Sequence, residues 1–208
     1  MKIIMCLILM FVVTGCATVN RAVDTNYSLS SKGGTGLLIA SVKYRGPVSG
    51  YKVYYKSVDE NTNGSLEAGA GVMLIPILPK SDFSTVNGKL EVQELPAGEY
   101  EINSWRVVGG YVNVVPATPF SIKFKIEPGK ATYIGSFIFD VKYTMGLSVI
   151  GVKLTHKDSY LEDTNVLFVK YPNLNESNIN MGLEVNSITE NLGAGNSTSI
   201  DIPPVISP

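Results

Sequence analysis

The chain has 208 residues, with 17 Lys and Arg against 18 Asp and Glu, 45% apolar residues, 20 Gly, 11 Pro, two Cys and one His. That composition suits one compact domain with appended segments, and it excludes collagen-like, coiled-coil, disulfide-framework and fully disordered chains. A formal charge of -1 supplies no field that would gather nucleic acid or acidic lipid head groups, so partners must be recognised by shape.

After Met1 and Lys2, residues 3–13 (IIMCLILMFVV) are apolar without interruption, and Thr14, Gly15 and Cys16 follow. As a helix this run would reach about 16 Å at 1.5 Å per residue, about half of a 30 Å hydrocarbon core, so 1–15 is expected to be an export signal rather than a membrane span. Val13, Thr14, Gly15 and Cys16 resemble a bacterial lipobox: an aliphatic residue, two small ones, then the cysteine. The resemblance implies that Cys16 becomes the acylated amino terminus of the mature chain, while Cys6 leaves with the signal. The mature chain then has no second thiol for an internal disulfide. Two or more acyl chains, at about 0.8 kcal/mol per buried methylene, make a firm anchor in membrane lipid. Ala17, in place of Asp after the cysteine, resembles the pattern forwarded to the outer membrane.

Residues 17–36 (ATVNRAVDTNYSLSSKGGTG) are polar, rich in Ser and Gly, and lack sustained periodicity. With Cys16 they are expected to form a lipidated flexible tether, 16–36, whose span as a coil is about 25 Å. The glycines at 33, 34 and 36 lack the Lys of a phosphate loop and the strand that would precede it.

From Leu37 the dominant period is two. Tyr51, Val53 and Tyr55 alternate with Lys52, Tyr54 and Lys56, and Phe120, Ile122, Phe124 and Ile126 alternate with Ser121, Lys123, Lys125 and Glu127. Both runs have the pattern of half-buried strands. Further strands are expected over 37–44, 66–74, 89–95, 99–107, 132–141 and 145–156. Asn63 and Gly64, Asn87 and Gly88, Pro96 to Gly98, Gly109 and Gly110, and Pro128 and Gly129 supply the turn chemistry between them. About eight short strands with no intervening helix predict a mainly β domain over 37–171, an antiparallel β-sandwich.

The loop from Asp59 to Gly64 has oxygen side chains at the first, third and fifth positions and Gly at the sixth, like the opening of a calcium loop. Ala70 stands where the closing Glu is required, so a hairpin turn is expected instead. Lys89 to Ile102 (KLEVQELPAGEYEI) resembles the strand, Leu-Pro-x-Gly turn and Tyr-bearing strand of transthyretin-like or carboxypeptidase-regulatory-like modules, which implies that Tyr100 packs into the sandwich. Phe120 to Phe139 (FSIKFKIEPGKATYIGSFIF) resembles a hairpin of uncharacterised bacterial lipoproteins. These motifs encode strands and turns rather than chemistry.

Trp105 shares the alternation of Glu101 and Asn103, which would place it on the solvent side beside Arg106, with Tyr111 near the following turn; the alternative is a Trp covered by the neighbouring loop or helix, as tryptophans usually are. These three are the candidate surface-contact residues. Ser159 with Glu162 reads as a capping box opening one packing helix, whose apolar face is expected to comprise Tyr160, Leu161, Thr164, Leu167, Phe168 and Tyr171 before Pro172 ends it. Residues 172–208 contain no Lys or Arg, four acids and seven Asn, and are expected to be a polar, partly disordered tail with at most an edge strand over 181–188.

Catalytic chemistry finds little purchase. The single His156 lies at a strand end in phase with Val152 and Leu154, no G-x-S-x-G elbow accompanies it, and a zinc site would need several His or Cys ligands. Glu91, Glu94, Glu99 and Glu101 offer carboxylates, with Glu99 and Glu101 on the solvent side. No metal or cofactor motif is present. The resulting expectation is a non-catalytic, lipid-anchored envelope module working through contact with an envelope protein. The alternatives are a carboxylate-based hydrolase acting on envelope glycans and a carrier of a small apolar ligand.

Overall fold

The computed structural model describes residues 21–30, 33–70, 79–146 and 148–200. The signal, the lipobox with Cys16, residues 17–20 and 31–32 of the expected tether, the second half of the expected 66–74 strand, and 201–208 lie outside the described residues. The strands are β1 (Arg21–Ala22), β2 (Thr35–Arg45), β3 (Gly50–Ser57), β4 (Asn63–Gly69), β5 (Asn87–Pro96), β6 (Gly98–Gly109), β7 (Val112–Pro116), β8 (Ile122–Ile126), β9 (Ala131–Met145) and β10 (Ser148–Lys157). After the helix α1 (Tyr160–Lys170) come β11 (Ile179–Met181), β12 (Ile188–Thr189) and β13 (Asn196–Ile200).

The strands form a mainly β sandwich. One sheet of seven strands has the order β1-β5-β2-β9-β10-β12, with β11 also on β9; the other, of six, has the order β13-β7-β6-β3-β4, with β8 also on β6. All pairings are antiparallel except β2 with β9 and β11 with β9. The central pair β2 and β9 is parallel; between them in the chain come β5 of the first sheet and β3, β4, β6, β7 and β8 of the second.

Two apolar cores explain the patterning. Between the sheets pack Trp105, Tyr51, Tyr55, Tyr100, Phe124, Phe137 and Phe139 with their aliphatic neighbours. On the opposite face of the first sheet, Leu37, Ile39, Leu90, Val92 and Tyr133 meet Leu167 and Tyr171 of the helix layer and Leu174. The first sheet is therefore covered on both faces, which is why β2 reads as a nearly continuous apolar run with buried residues from Gly36 to Tyr44. The expected Tyr100 packing is present: its ring stacks on Phe124 and its hydroxyl donates to the Pro96 carbonyl at 2.9 Å.

The helix stands where its sequence places it, but its buried face differs from the expected one. Leu161 is 81% exposed, whereas Asp163 is buried with Thr164 and Leu167. The capping box does not form. Ser159 Oγ has no hydrogen-bond partner, Asp158 Oδ1 accepts from the Tyr160 amide at 2.8 Å, and Glu162 turns to Lys43 at 2.7 Å. Asp158 is a better cap here because its second oxygen simultaneously accepts from the Asn186 amide at 2.9 Å, tying the helix start to the loop before β12.

Two segments expected to be loose are ordered parts of the sandwich. In the expected tether, β1 pairs with β5, and Val23, Tyr27 and Leu29 pack on the helix-side core. In the expected tail, residues 172–200 carry β11, β12 and β13, with Leu174 and Leu192 buried. Few apolar residues suffice in these segments, because backbone pairing with existing edges satisfies their polar groups.

Candidate functional site

Trp105 is not a surface residue. It is fully buried, edge-on to Phe139, with Nε1 donating to the Leu192 carbonyl at 3.0 Å. The register of β6 against β3 shifts between Tyr54 and Tyr55, which pair with Ser104 and Ile102, so Asn103 is an extra residue. One inserted residue inverts the alternation beyond it, and Tyr100 and Ile102 before the bulge point the same way as Trp105 and Val107 after it. Arg106 is half-buried, with both Nε and Nη2 donating to Asn113 Oδ1. Tyr111 alone of the three is an exposed large side chain, at 63%.

Tyr111 has company that the sequence reading did not assemble. The β9–β10 hairpin runs on past Arg45 and Asp140, the last β2–β9 partners, and exposes Tyr143 (70%) and Met145 (56%). Gly109 and Gly110 beside Tyr111 approach Ser148 of that hairpin, and Ile200 (56%) ends β13 paired with Val112. Four large apolar side chains from three chain segments thus share one tip of the sandwich. Each had looked like an isolated strand end, since nothing local in the sequence links residues 111, 143 and 200.

A second surface feature is a groove of about 750 Å³ at the start of α1, lined by Tyr160, Leu161, Ile179, Met181 and Val185, with Lys157, Asp158, Glu162 and Glu176 at its rim. Burial, and then the Glu176 carboxylate to which it hydrogen-bonds, raises the Tyr160 phenol above its ordinary value.

Beneath α1 lies a buried polar cluster. Asp163 Oδ2 accepts from Ser41 Oγ (2.8 Å), Ser136 Oγ (2.9 Å) and Tyr133 Oη (2.7 Å), while Lys43 Nζ is 2.8 Å from Asp163 Oδ1 and 4.2 Å from the Phe83 ring centroid. Burial and the adjacent Asp163 charge push the Tyr133 phenol well up. A bulge at Gly135, with φ +93, places Tyr133 and Ser136 on the same side of β9. A Cβ at Gly135 would lie 2.8 Å from the Lys157 carbonyl oxygen, so the position tolerates only glycine without rearrangement. Ser41, Ser136 and Asp163 are fully buried. No substrate reaches hydroxyls so placed, and the cluster seats the helix.

Three of the four candidate carboxylates, Glu91, Glu94 and Glu101, are occupied separately, and Glu99 is exposed. Glu91 is buried and 2.7 Å from Lys89 Nζ, and Glu94 accepts from Tyr27 and Thr35. Glu101 meets Lys56 and Ser121, and these hydrogen bonds lower its pKa, Lys56 first. The loop from Asp59 to Gly64 is a hairpin connection whose backbone amides at Asp59 and Glu60 donate to Ser57 Oγ. Among the described residues, no three His, Cys, Asp or Glu side chains gather as a metal site requires.

His156 is buried, stacked on Phe137, with Nε2 2.7 Å from the Ile134 carbonyl oxygen. Burial holds its pKa below the ordinary 6.5. As pH falls, the unfolded chain takes up this proton before the folded one, so stability should decrease from neutral pH towards about pH 5, and His156→Phe should flatten that decrease in urea unfolding. The carboxylates with lowered pKa, Glu67, Glu101 and Glu190, lose their contributions only below their ordinary 4.5, outside this window. A wild-type curve already flat between those pH values would contradict the assignment.

By fold, then, this is a two-sheet β-sandwich with a helix-covered face, a buried ionic seat under the helix and an apolar tip. Compared with known proteins, the chain matches no family model, and neither a curated protein nor a solved structure is significantly similar to it. No helix among the described residues is long and apolar enough to cross a membrane.

Proposed function

We propose that this chain is a lipid-anchored lipoprotein of the bacterial cell envelope, held through acylated Cys16, and that it acts as a non-catalytic binding or structural module through protein–protein contact at the sandwich tip. The lipobox residues Val13 to Cys16 support the anchor, and Ala17 supports an outer-membrane destination. The observation that carries the binding role is the cluster of Tyr111, Tyr143, Met145 and Ile200 exposed at one end of the sheets. Exposed aromatic and Met side chains gathered in this way favour a protein contact. The packing of Tyr100 supports the likeness to transthyretin-like modules. A carrier of an apolar ligand would need open space between the sheets, where Trp105, Tyr51, Tyr55, Phe137 and Phe139 are packed, and a glycan hydrolase would need two acids free of the partners described above.

Photocrosslinking in cells tests the reading. Benzoylphenylalanine at positions 111 and 143 should give an adduct of one common mass, whereas the same probe at exposed Val58 should give none. Absence of adducts from both tip positions, or equal adducts from position 58, would count against the tip. Cys16→Ala should move the protein from the membrane to the soluble fraction, and an unchanged membrane fraction would overturn the anchor.

A further inference from the structure

The position at which the described chain begins restricts how the domain meets its anchor. β1 is antiparallel to β5, with Arg21 opposite Glu94, two residues from the Pro96 end of that strand and at the end of the sheet away from the apolar tip. From Cys16 to Arg21 there are five peptide steps, which span at most about 18 Å in any conformation. The register then carries this level straight across the sheet: Arg21 pairs with Glu94, Glu94 with Leu37, Leu37 with Ala131, and Ala131 with Ile179. Four strand spacings make this row about 19 Å wide. At its far end stands Ile179, in the wall of the groove at the start of α1. Met145, by contrast, is 14 residues along β9 from Ala131, about 45 Å at 3.3 Å per residue.

The groove surface carries exposed Leu161, Val185 (69%) and Met181, exposed Ile188 (64%) lies beside it as the strand partner of Lys157, and its rim holds one lysine against three acids, Asp158, Glu162 and Glu176. An acidic rim is not attracted to anionic head groups, so contact with lipid here would be apolar rather than electrostatic.

We infer that this surface, centred on Leu161, Met181 and Val185, rests on the lipid surface that holds Cys16. The domain is then tilted with its helix-side, Pro96-end corner down and its tip directed outward. The inference rests on the anchor proposed above and deepens it, because it assigns which face the membrane covers and leaves the tip free for a partner.

The test supplies the anchor chemically, so its outcome is independent of whether cells acylate Cys16, which the fractionation assay decides. Residues 16–208 are coupled through Cys16 to a maleimide-bearing lipid in phosphatidylcholine vesicles, and amide hydrogen exchange is compared with that of the uncoupled chain. Amides over 183–187 and in the first turn of α1 should exchange severalfold more slowly on vesicles, with those over 109–111 and 143–146 unchanged. The double variant Leu161→Asp with Val185→Asp, at two exposed positions, should abolish the slowing while leaving the melting temperature unchanged. Equal exchange in both states, slowing at the tip instead, or slowing that survives the double variant would overturn the inference. So would protection without vesicles that grows with protein concentration, since that would mark the groove as a contact between two copies.

Discussion

Asp163→Ala is expected to destabilise the domain by about 3–5 kcal/mol, the range for removing one partner of a buried ion pair. The substitution leaves Lys43, itself buried, with Glu162 alone, and Glu162 is partly exposed. It also removes the common acceptor of the Ser41, Ser136 and Tyr133 hydroxyls: the two serines keep only their mutual contact at 2.6 Å, in which one of them can donate, and Tyr133 keeps only the Ser159 amide that it accepts from. Each buried polar group left unpaired carries its own desolvation cost. Trp105 is the one tryptophan and lies in the intersheet core, so its emission reports urea unfolding, and a fall in Tm of about 10 °C should accompany the loss. The matching double variant, Lys43→Met with Asp163→Leu, removes both charges and should recover the part of the loss that comes from the unpaired ammonium, while the part from the hydroxyls remains. If Asp163→Ala unfolds at the wild-type urea concentration, the cluster is not what seats α1.

Trp105→Ala is expected to cost a similar amount, about 3–5 kcal/mol, by opening a cavity in the intersheet core. The indole also donates to the Leu192 carbonyl, and Leu192 with Gly193 forms the point where the chain crosses from β12 on the first sheet to β13 on the second. Gly193 packs so closely on Pro116 that a Cβ there would lie 2.5 Å from the proline Cβ. Side chains of Asn196 and Thr198 then reach back to the β10 backbone at Val152 and Ile150. Trp105→Phe keeps much of the ring and removes only the donor, so it should cost about 1–2 kcal/mol. Hydrogen exchange over 196–200 should accelerate in both variants. A Trp105→Ala protein whose C-terminal strand exchanges as slowly as wild type would show that the clasp does not depend on the indole.

The sandwich was legible because its strands obey period two and its turns carry Gly, Pro and Asn at the right intervals. Each of the eight expected strands has a counterpart, from β2 to β6 and from β8 to β10. β1, β7, β11, β12 and β13 escaped notice because they are short or polar; β7 buries Val112 and Val114 in the intersheet core, and pairing with an existing edge holds the others. The candidate site was less legible. Trp105 was assigned to solvent by counting alternation through Asn103, and a bulge is invisible to that count. Hydropathy places Leu161 on the core face, but it is exposed, and Asp163 is buried in its stead because a buried lysine waits on the facing sheet.

Local chemistry alone therefore determined the apolar run ending in Val13, Thr14, Gly15 and Cys16, the alternating strands, their turns and the presence of a helix before Pro172, since each depends on neighbours within a few residues. Only the tertiary structure decided what lies on which face. Lys43 and Asp163 are 120 positions apart, and each is tolerable inside only because the other is there. The tip residues are brought to one end because the β6–β7 and β9–β10 hairpins and the end of β13 converge there, and one inserted residue in β6 and another in β9 set which side chains face the core beyond them. Burial of a charge and the phase of a strand after a bulge both depend on partners distant in the chain, which no local pattern encodes.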